Sequence, residues 1–249
     1  MSSLCFEAKW PAPSGVRVVS TFRGEAGEGG ASKAPYACFN LGRNVGDDPL
    51  AVAENRRILR LEARLPAEPS WLAQVHGVTV ADLDEGGPLA AADAAMTRRP
   101  GKICAILTAD CLPIVFATDI GDTVAAAHAG WRGMAAGVIG ATVRATAAQP
   151  ERLIAWLGPA IGPSHFEVGG EVRGAFLSAD PGAGVAFKAT LTGKFMADLA
   201  MLARRQLKDL GVERIYGGGE CTYARADRYF SYRRDGVTGR QATLIWREE

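Results

Sequence analysis

Three nearly unbroken apolar runs, residues 103–108, 112–117 and 123–128, follow one another within 26 residues of this chain. Only about five residues separate the second run from the third. That is too short for the helical crossover that parallel strands need, so these two are expected to pair antiparallel. The runs scarcely alternate between apolar and polar, which points to sheet covered on both faces. Whatever else the chain does, it must build a sheet here and bury both sides of it.

The rest of the pattern supplies the cover. Residues 16–22 are β-branched and read as a strand, and 23–34, rich in Gly, Glu, Ser and Ala, as a surface loop. Asp47 or Asp48 can cap a helix with Pro49 in its first turn, running to about Arg64, with Val52, Ile58, Leu59 and Leu61 on its apolar face. Residues 71–76 and 78–83 read as two strands around Gly77, and 84–99 as a polar connection. Helices are expected over 131–148, 170–178 and 194–210, the last stopped by Gly211. A buried strand at 153–157 leads into a tight loop at 158–163, and further strands are expected at 215–216 and 242–246. Strands and helices alternate irregularly with hairpin-length links, and no linker or repeat divides the chain. This favours one α+β domain over 1–249, not a doubly wound parallel fold.

Several function classes are disfavoured. A formal net charge of +1 gives no electrostatic footprint for nucleic acid or an anionic membrane. No run approaches the roughly 18–20 apolar residues of a membrane span, and no signal peptide is visible at the N-terminus. Neither GxGxxG nor GxxxxGK[ST] occurs in the context that a nucleotide site requires. Cys5, Cys38, Cys104, Cys111 and Cys221 are scattered without CxxC pairs, so reduced thiols and a cytoplasmic setting are expected.

The chemistry gathers at three places. Gln74-Val-His76-Gly77, Thr108-Ala-Asp-Cys111 and Ala127-His128-Ala-Gly-Trp-Arg132 put two of the chain's three histidines and a cysteine at the edges of apolar runs. A thiolate with two neutral imidazoles suits zinc, and three protein ligands leave a fourth position open, where zinc lowers the pKa of a bound water to about 7. The same residues admit a rival: Cys111 as nucleophile with His128 as its base and no metal. Copper also accepts Cys and His, but a multicopper centre needs more than three histidines. Arg132, flanked by Trp131 and Gly133, is a candidate anion contact, and Arg56 a weaker one. Asp110 suggests a supporting role, Asp93 and Glu171 are candidate proton carriers, and His165 and the arginines of Tyr232-Arg-Arg-Asp235 are open between packing and substrate.

Asn40-Leu-Gly42, Val45-Gly-Asp-Asp-Pro49, Asn55-Arg56, Gln74-Val-His-Gly77 and Thr108-Ala-Asp-Cys-Leu-Pro-Ile114 together resemble the YfiH-like purine nucleoside phosphorylase family. So do His128-Ala-Gly-Trp-Arg-Gly133, Gly158-Pro-Ala-Ile-Gly162, Cys221-Thr-Tyr223 and Phe230-Ser-Tyr-Arg-Arg-Asp-Gly236. The family has long been labelled laccase-domain or polyphenol oxidase, and the resemblance covers about residues 15–247. It implies a layered α/β/β/α sandwich with mixed, largely antiparallel sheets, and zinc on His76, Cys111 and His128. It further implies phosphorolysis of adenosine, inosine, guanosine and methylthioadenosine, and deamination of adenosine. Purine nucleoside and phosphate would then be the partners, with Asn40, Arg56 and Arg132 toward substrate, in a monomer or homodimer. Asn44 stands where the family usually has histidine, a departure that leaves the zinc triad intact.

Overall fold

In the computed structural model, which describes residues 4–24, 29–86 and 91–248, the three central runs divide between two sheets. Along the chain come β1 (Cys5–Glu7), β2 (Val16–Thr21), α1 (Pro49–Glu62), β3 (Ser70–Trp71), β4 (Val80–Asp82) and β5 (Ala94–Thr97). The centre holds β6 (Ile103–Thr108), β7 (Leu112–Thr118), β8 (Val124–Ala129), α2 (Trp131–Ala136), α3 (Val138–Ala145) and β9 (Leu153–Leu157). Then follow β10 (Glu167–Val168), α4 (Gly170–Ala179), β11 (Phe187–Ala189), β12 (Phe195–Ala197) and α5 (Leu199–Asp209). The chain closes with β13 (Arg214–Gly217), α6 (Tyr232–Asp235) and β14 (Gln241–Arg247).

One sheet has the order β1-β2-β14-β6-β3, the other β13-β9-β7-β8-β5-β4, and a small third sheet is ordered β10-β12-β11. As expected, β7 and β8 pair antiparallel, from Leu112 opposite Ala129 to Ala117 opposite Val124. Antiparallel pairing dominates, with parallel exceptions at β3–β6, β4–β5 and β9–β13. The large sheets face each other through Val18, Ile106, Val115, Val124, Trp156 and Ile245. On the outer face of one, Ile114, Phe116 and Leu157 pack with α3 and α5 through Ile139, Leu202 and Leu207. On the outer face of the other, Ile103, Leu244 and Trp246 pack with Leu59 and Ala63 at the end of α1. The result is the α/β/β/α sandwich. Among the described residues no helix is long and apolar enough to cross a membrane.

The short link between β6 and β7 is the step from one sheet to the other, and it carries Asp110 and Cys111. Asp110 adopts a left-handed φ of 97°. Its strain is offset by three bonds: its carbonyl accepts from Ile161 N–H (2.9 Å), and its carboxylate from Thr222 Oγ1 (2.6 Å) and Arg233 N–H (2.7 Å). Asp110 is therefore the brace of the turn that presents Cys111.

Several local expectations are corrected. Residues 71–76 are not a strand beyond Trp71; the side chain of Gln74 takes over, donating to Leu107 O and accepting from Leu107 N–H, both at 2.8 Å. The polar stretch 84–99 conceals β5, whose small residues are fully buried beside β8. The helix over 131–148 is two, because Gly137 takes φ 99° between α2 and α3. Residues 195–197 join the third sheet, so α5 starts later, capped by Asp198. The α1 cap is Asp48, but Leu61 is 65% exposed, and Asn55 and Arg56 complete the buried face instead. Residues 232–235, assigned no element from the sequence, form a short helix. Residues 25–28 and 87–90, within the 23–34 loop and the 84–99 connection, lie outside the described residues, as do 1–3.

Candidate metal centre

Each member of the expected triad comes from a different local device. Cys111 sits on the inter-sheet link, and His128 is the penultimate residue of β8. His76 lies in the loop after β3 with a φ of 62°, a conformation costly for a non-glycine residue and worth an explanation. The explanation is Asp93, which is 0% exposed. Its Oδ1 accepts from His76 N–H (2.9 Å), and its Oδ2 from Val75 N–H (3.1 Å) and Gly77 N–H (2.7 Å). Oδ1 also lies 2.8 Å from Nδ1 of His128.

The three ligand atoms all lie within 4.8 Å of one another. Cys111 Sγ is 3.8 Å from His76 Nε2, and the two imidazoles meet edge to face with centroids 4.7 Å apart. Tetrahedral zinc, with bonds of about 2.0 Å to nitrogen and 2.3 Å to sulfur, spaces such donors roughly 3.3–3.6 Å apart, so the donor set fits. His128 is buried, Cys111 half-buried and His76 exposed, which closes the cluster from the core and opens it to solvent on the His76 side. Gly130 makes room for it: a Cβ there would stand 2.9 Å from Cys111 Sγ and 3.0 Å from His76 Cδ2.

The electrostatics suit a cation. Burial pushes the Cys111 thiol up, but hydrogen bonds and charge from His128 and His76 outweigh it and bring it down to about 6. Burial pushes His128 down, but Asp93 and the Cys111 thiolate raise it to about 9. Asp93, also desolvated, is held below the usual carboxylate range by His128 and the three loop amides. It is a fixed anion without an exposed face, so the proton-carrier expectation for Asp93 gives way to a holding role. Because a metal needs neutral imidazole and thiolate, binding must displace a proton from His128 below about pH 9, and a second from Cys111 below about pH 6. From these two groups, log affinity is expected to rise with pH by about one per unit between 6 and 9 and by about two below 6. Competition titration against a chelator across pH 5–9 measures it; a flat profile contradicts the ligand assignment.

The other candidates fall into place around this cluster. Arg132, exposed in the first turn of α2, rests over the Trp131 ring at 4.5 Å and makes no ion pair among the described residues. Arg56 is 6% exposed; its Nε (3.0 Å) and Nη2 (2.8 Å) donate to Leu41 O, and its guanidinium lies 4.0 Å over Trp71. Asn40 is buried and fully engaged, accepting from Gly42 N–H and Arg240 N–H and donating to Asp47 and Gly42 O. Glu171 is exposed at the start of α4, and Asn44 is exposed. His165 stacks on Tyr223 at 4.5 Å, with Nδ1 3.7 Å from Cys221 Sγ. Arg234 donates to the carbonyls of Thr222, Tyr223 and Tyr229, and Arg233 to that of Glu167. A cavity of about 380 Å³, lined by Gly158, Gly162, Arg204 and Cys221 among others, includes none of the triad.

The residue that sequence reading missed is Arg240. Burial holds its guanidinium below the ordinary value, while attraction to Cys111 and Asp110 works the other way, which places a cation within electrostatic reach of the thiolate. Its only sequence signal is a position just before β14, indistinguishable from an edge arginine.

Comparison with known proteins agrees on one grouping. The family model described as multi-copper polyphenol oxidoreductase laccase matches residues 23–248. Purine nucleoside phosphorylase YfiH of Escherichia coli is 50% identical over 240 residues, 96% of each chain. A purine nucleoside phosphorylase of Pseudomonas aeruginosa is 52% identical over 241 residues, 96% of this chain and 97% of the other. A crystal structure of a Neisseria meningitidis protein superposes with a TM-score of 0.94 at 44% identity, covering 99% of this chain and 100% of that one. YlmD from Geobacillus stearothermophilus superposes with a TM-score of 0.92 at 30% identity, covering 100% and 98%.

Proposed function

This chain belongs to the laccase-like, YfiH-type family, and we propose that it is a zinc-dependent purine nucleoside phosphorylase working at His76, Cys111 and His128. The observation that carries this reading is the convergence of those three side chains in a chain similar along 96% of its length to proteins named for that activity. Zinc held there would supply Lewis acidity at an open position. Its substrates in this reading are adenosine, inosine, guanosine and methylthioadenosine with phosphate, and deamination of adenosine to inosine is a second reaction at the same centre. The reading suits a cytoplasmic enzyme: Cys5, Cys104, Cys111 and Cys221 are free thiols, as a reducing compartment would keep them.

The chain's own residues contribute positioning and charge. Arg132, without a carboxylate partner among the described residues, is the phosphate contact, and Trp131 beneath its guanidinium steers it. Asn40 acts at one remove by holding the backbone of Arg240, whose guanidinium donates to Thr238 O and Gly239 O within electrostatic reach of Cys111. Arg56 acts by fixing the Leu41 carbonyl in the same segment, so both substrate-side assignments run through residues 40–42.

Two readings compete. The lowered Cys111 thiol beside the raised His128 imidazole is also the pair a cysteine hydrolase would use. Copper oxidation of phenols follows from the family's description, but His165, the third histidine, stacks on Tyr223 beside Cys221, away from the triad, so ligands for several coppers are lacking. The deciding experiment incubates zinc-loaded protein with a nucleoside panel, with and without phosphate. Free base plus ribose 1-phosphate, strictly dependent on phosphate, is the expected product, and inosine from adenosine marks deamination. Neither product from any nucleoside would overturn the proposal.

A further inference from the structure

We infer that Asp93 is the positioning residue that preorganises both histidine ligands, so that this one buried carboxylate sets the affinity of the centre for its metal. The inference rests on reading His76, Cys111 and His128 as the ligands. The geometry is specific. The two histidines are 52 residues apart in sequence and come from a loop and a strand, yet both bind Asp93. Its four acceptor contacts are shared in pairs: Oδ1 serves His76 N–H and His128 Nδ1, and Oδ2 serves Val75 N–H and Gly77 N–H. The backbone adds a fifth link, His128 N–H to Asp93 O at 2.7 Å, continuing the pairing of β5 with β8.

Two consequences follow. First, an acceptor at His128 Nδ1 keeps a proton on that nitrogen and leaves the Nε2 lone pair for a metal. Second, the three amides of residues 75–77 are closed around one carboxylate, which holds His76 in its left-handed conformation and aims its ring at Cys111. An apolar residue, or a carboxylate reaching only one of the two histidines, would leave the other free to turn away.

Asparagine makes the test sharp, because it is isosteric but has one acceptor instead of two. With its oxygen toward Val75 and Gly77, its NH2 faces His76 N–H and His128 Nδ1, repelling the first and favouring the wrong tautomer at the second. With its oxygen toward His76 N–H and His128, its NH2 faces the amides of Val75 and Gly77, and the His76 loop loses two of its three anchors. Either orientation breaks one ligand's support. For Asp93→Asn, zinc affinity of the folded protein measured by chelator competition is expected to fall roughly 10–100-fold, and the metal-free melting temperature to fall with it, because the amide turns buried acceptor contacts into donor–donor contacts. Zinc-loaded wild-type protein should also show a slowly exchanging, downfield Nδ1–H proton of His128 in NMR spectra, absent or shifted in the variant.

Equal zinc affinity in wild type and Asp93→Asn overturns the inference while leaving the metal reading intact. A wild-type protein that binds no zinc overturns both. Should Asp93→Asn fail to fold, the wild-type Nδ1–H resonance decides: its absence from zinc-loaded protein, with water at Nδ1 instead, refutes the preorganised tautomer.

Discussion

Cys111→Ser is expected to abolish metal retention and nucleoside turnover while leaving the fold intact. Cys111 is half-buried on the link between the sheets and belongs to none of the three apolar clusters, so the change leaves no hydrophobic void. What it removes is the anionic donor, whose thiol is already brought down to about 6 by the two histidines. Zinc-binding free energies at four-ligand sites are on the order of 10–16 kcal/mol, so one donor's share is roughly 3–4 kcal/mol. At about 1.4 kcal/mol per factor of ten, affinity should fall several hundredfold. Zinc content after dialysis and the nucleoside assay measure the two effects, with a melting curve as the control. A thiol nucleophile would also lose turnover in this variant, so wild-type protein is stripped with a chelator in parallel. Activity that vanishes on stripping and returns with zinc supports the metal reading; activity that survives stripping supports the cysteine hydrolase.

A second large effect is expected from a single methyl group. Gly130 has φ −64° and ψ 156°, values that any residue adopts, so backbone conformation does not demand glycine there. Space does: the Cβ of alanine would lie 2.9 Å from Cys111 Sγ and 3.0 Å from His76 Cδ2. The cheapest relief is to turn one of those side chains, which costs little stability but moves a ligand atom by more than the roughly 0.2 Å that a metal site tolerates. Gly130→Ala should therefore melt close to the parent temperature without metal, because the roughly 0.4–1 kcal/mol gained by replacing glycine at a compatible φ is offset by the crowding of Cys111 and His76. Turnover should drop by about a hundredfold, the scale of an ångström's misplacement. Unchanged zinc affinity in this variant would show that Cys111 and His76 do not ligate together.

Both predictions bear on how much could be read from the chain itself. The central runs announced buried sheet, and the five-residue link made the β7–β8 hairpin unavoidable. What they could not announce was that β6 leaves for the other sheet, because the link before Cys111 is compatible with a turn within one sheet or a step between two. Local pattern misled in two directions. Ala94, Ala95 and Ala126 allow β5 and β8 to lie under cover, yet alanine has little strand propensity, so β5 read as connection. Conversely, residues 195–197 continued the periodicity of α5, and only the acceptor side chain of Asp198 marks where the helix starts.

The candidate site divides in the same way. The chain by itself offered the candidate donors: two of its three histidines and a cysteine stand at the edges of apolar runs, and the family resemblance, not their spacing, gathered them into one site. Periodicity and residue type also settled the antiparallel core and the helices that cover it, because those depend on side chains near one another in sequence. Only the tertiary structure decided what holds the donors in place. Asp93 reaches His76 and His128 across 17 and 35 residues, Gly130 admits Cys111 by having no Cβ, and Arg240 brings charge from the far end of the chain. The physical reason is that a buried carboxylate or a close approach acts over 3 Å of space without leaving a pattern along the chain. Ligands can be read from residue type, but their support depends on which surfaces the two sheets bring together.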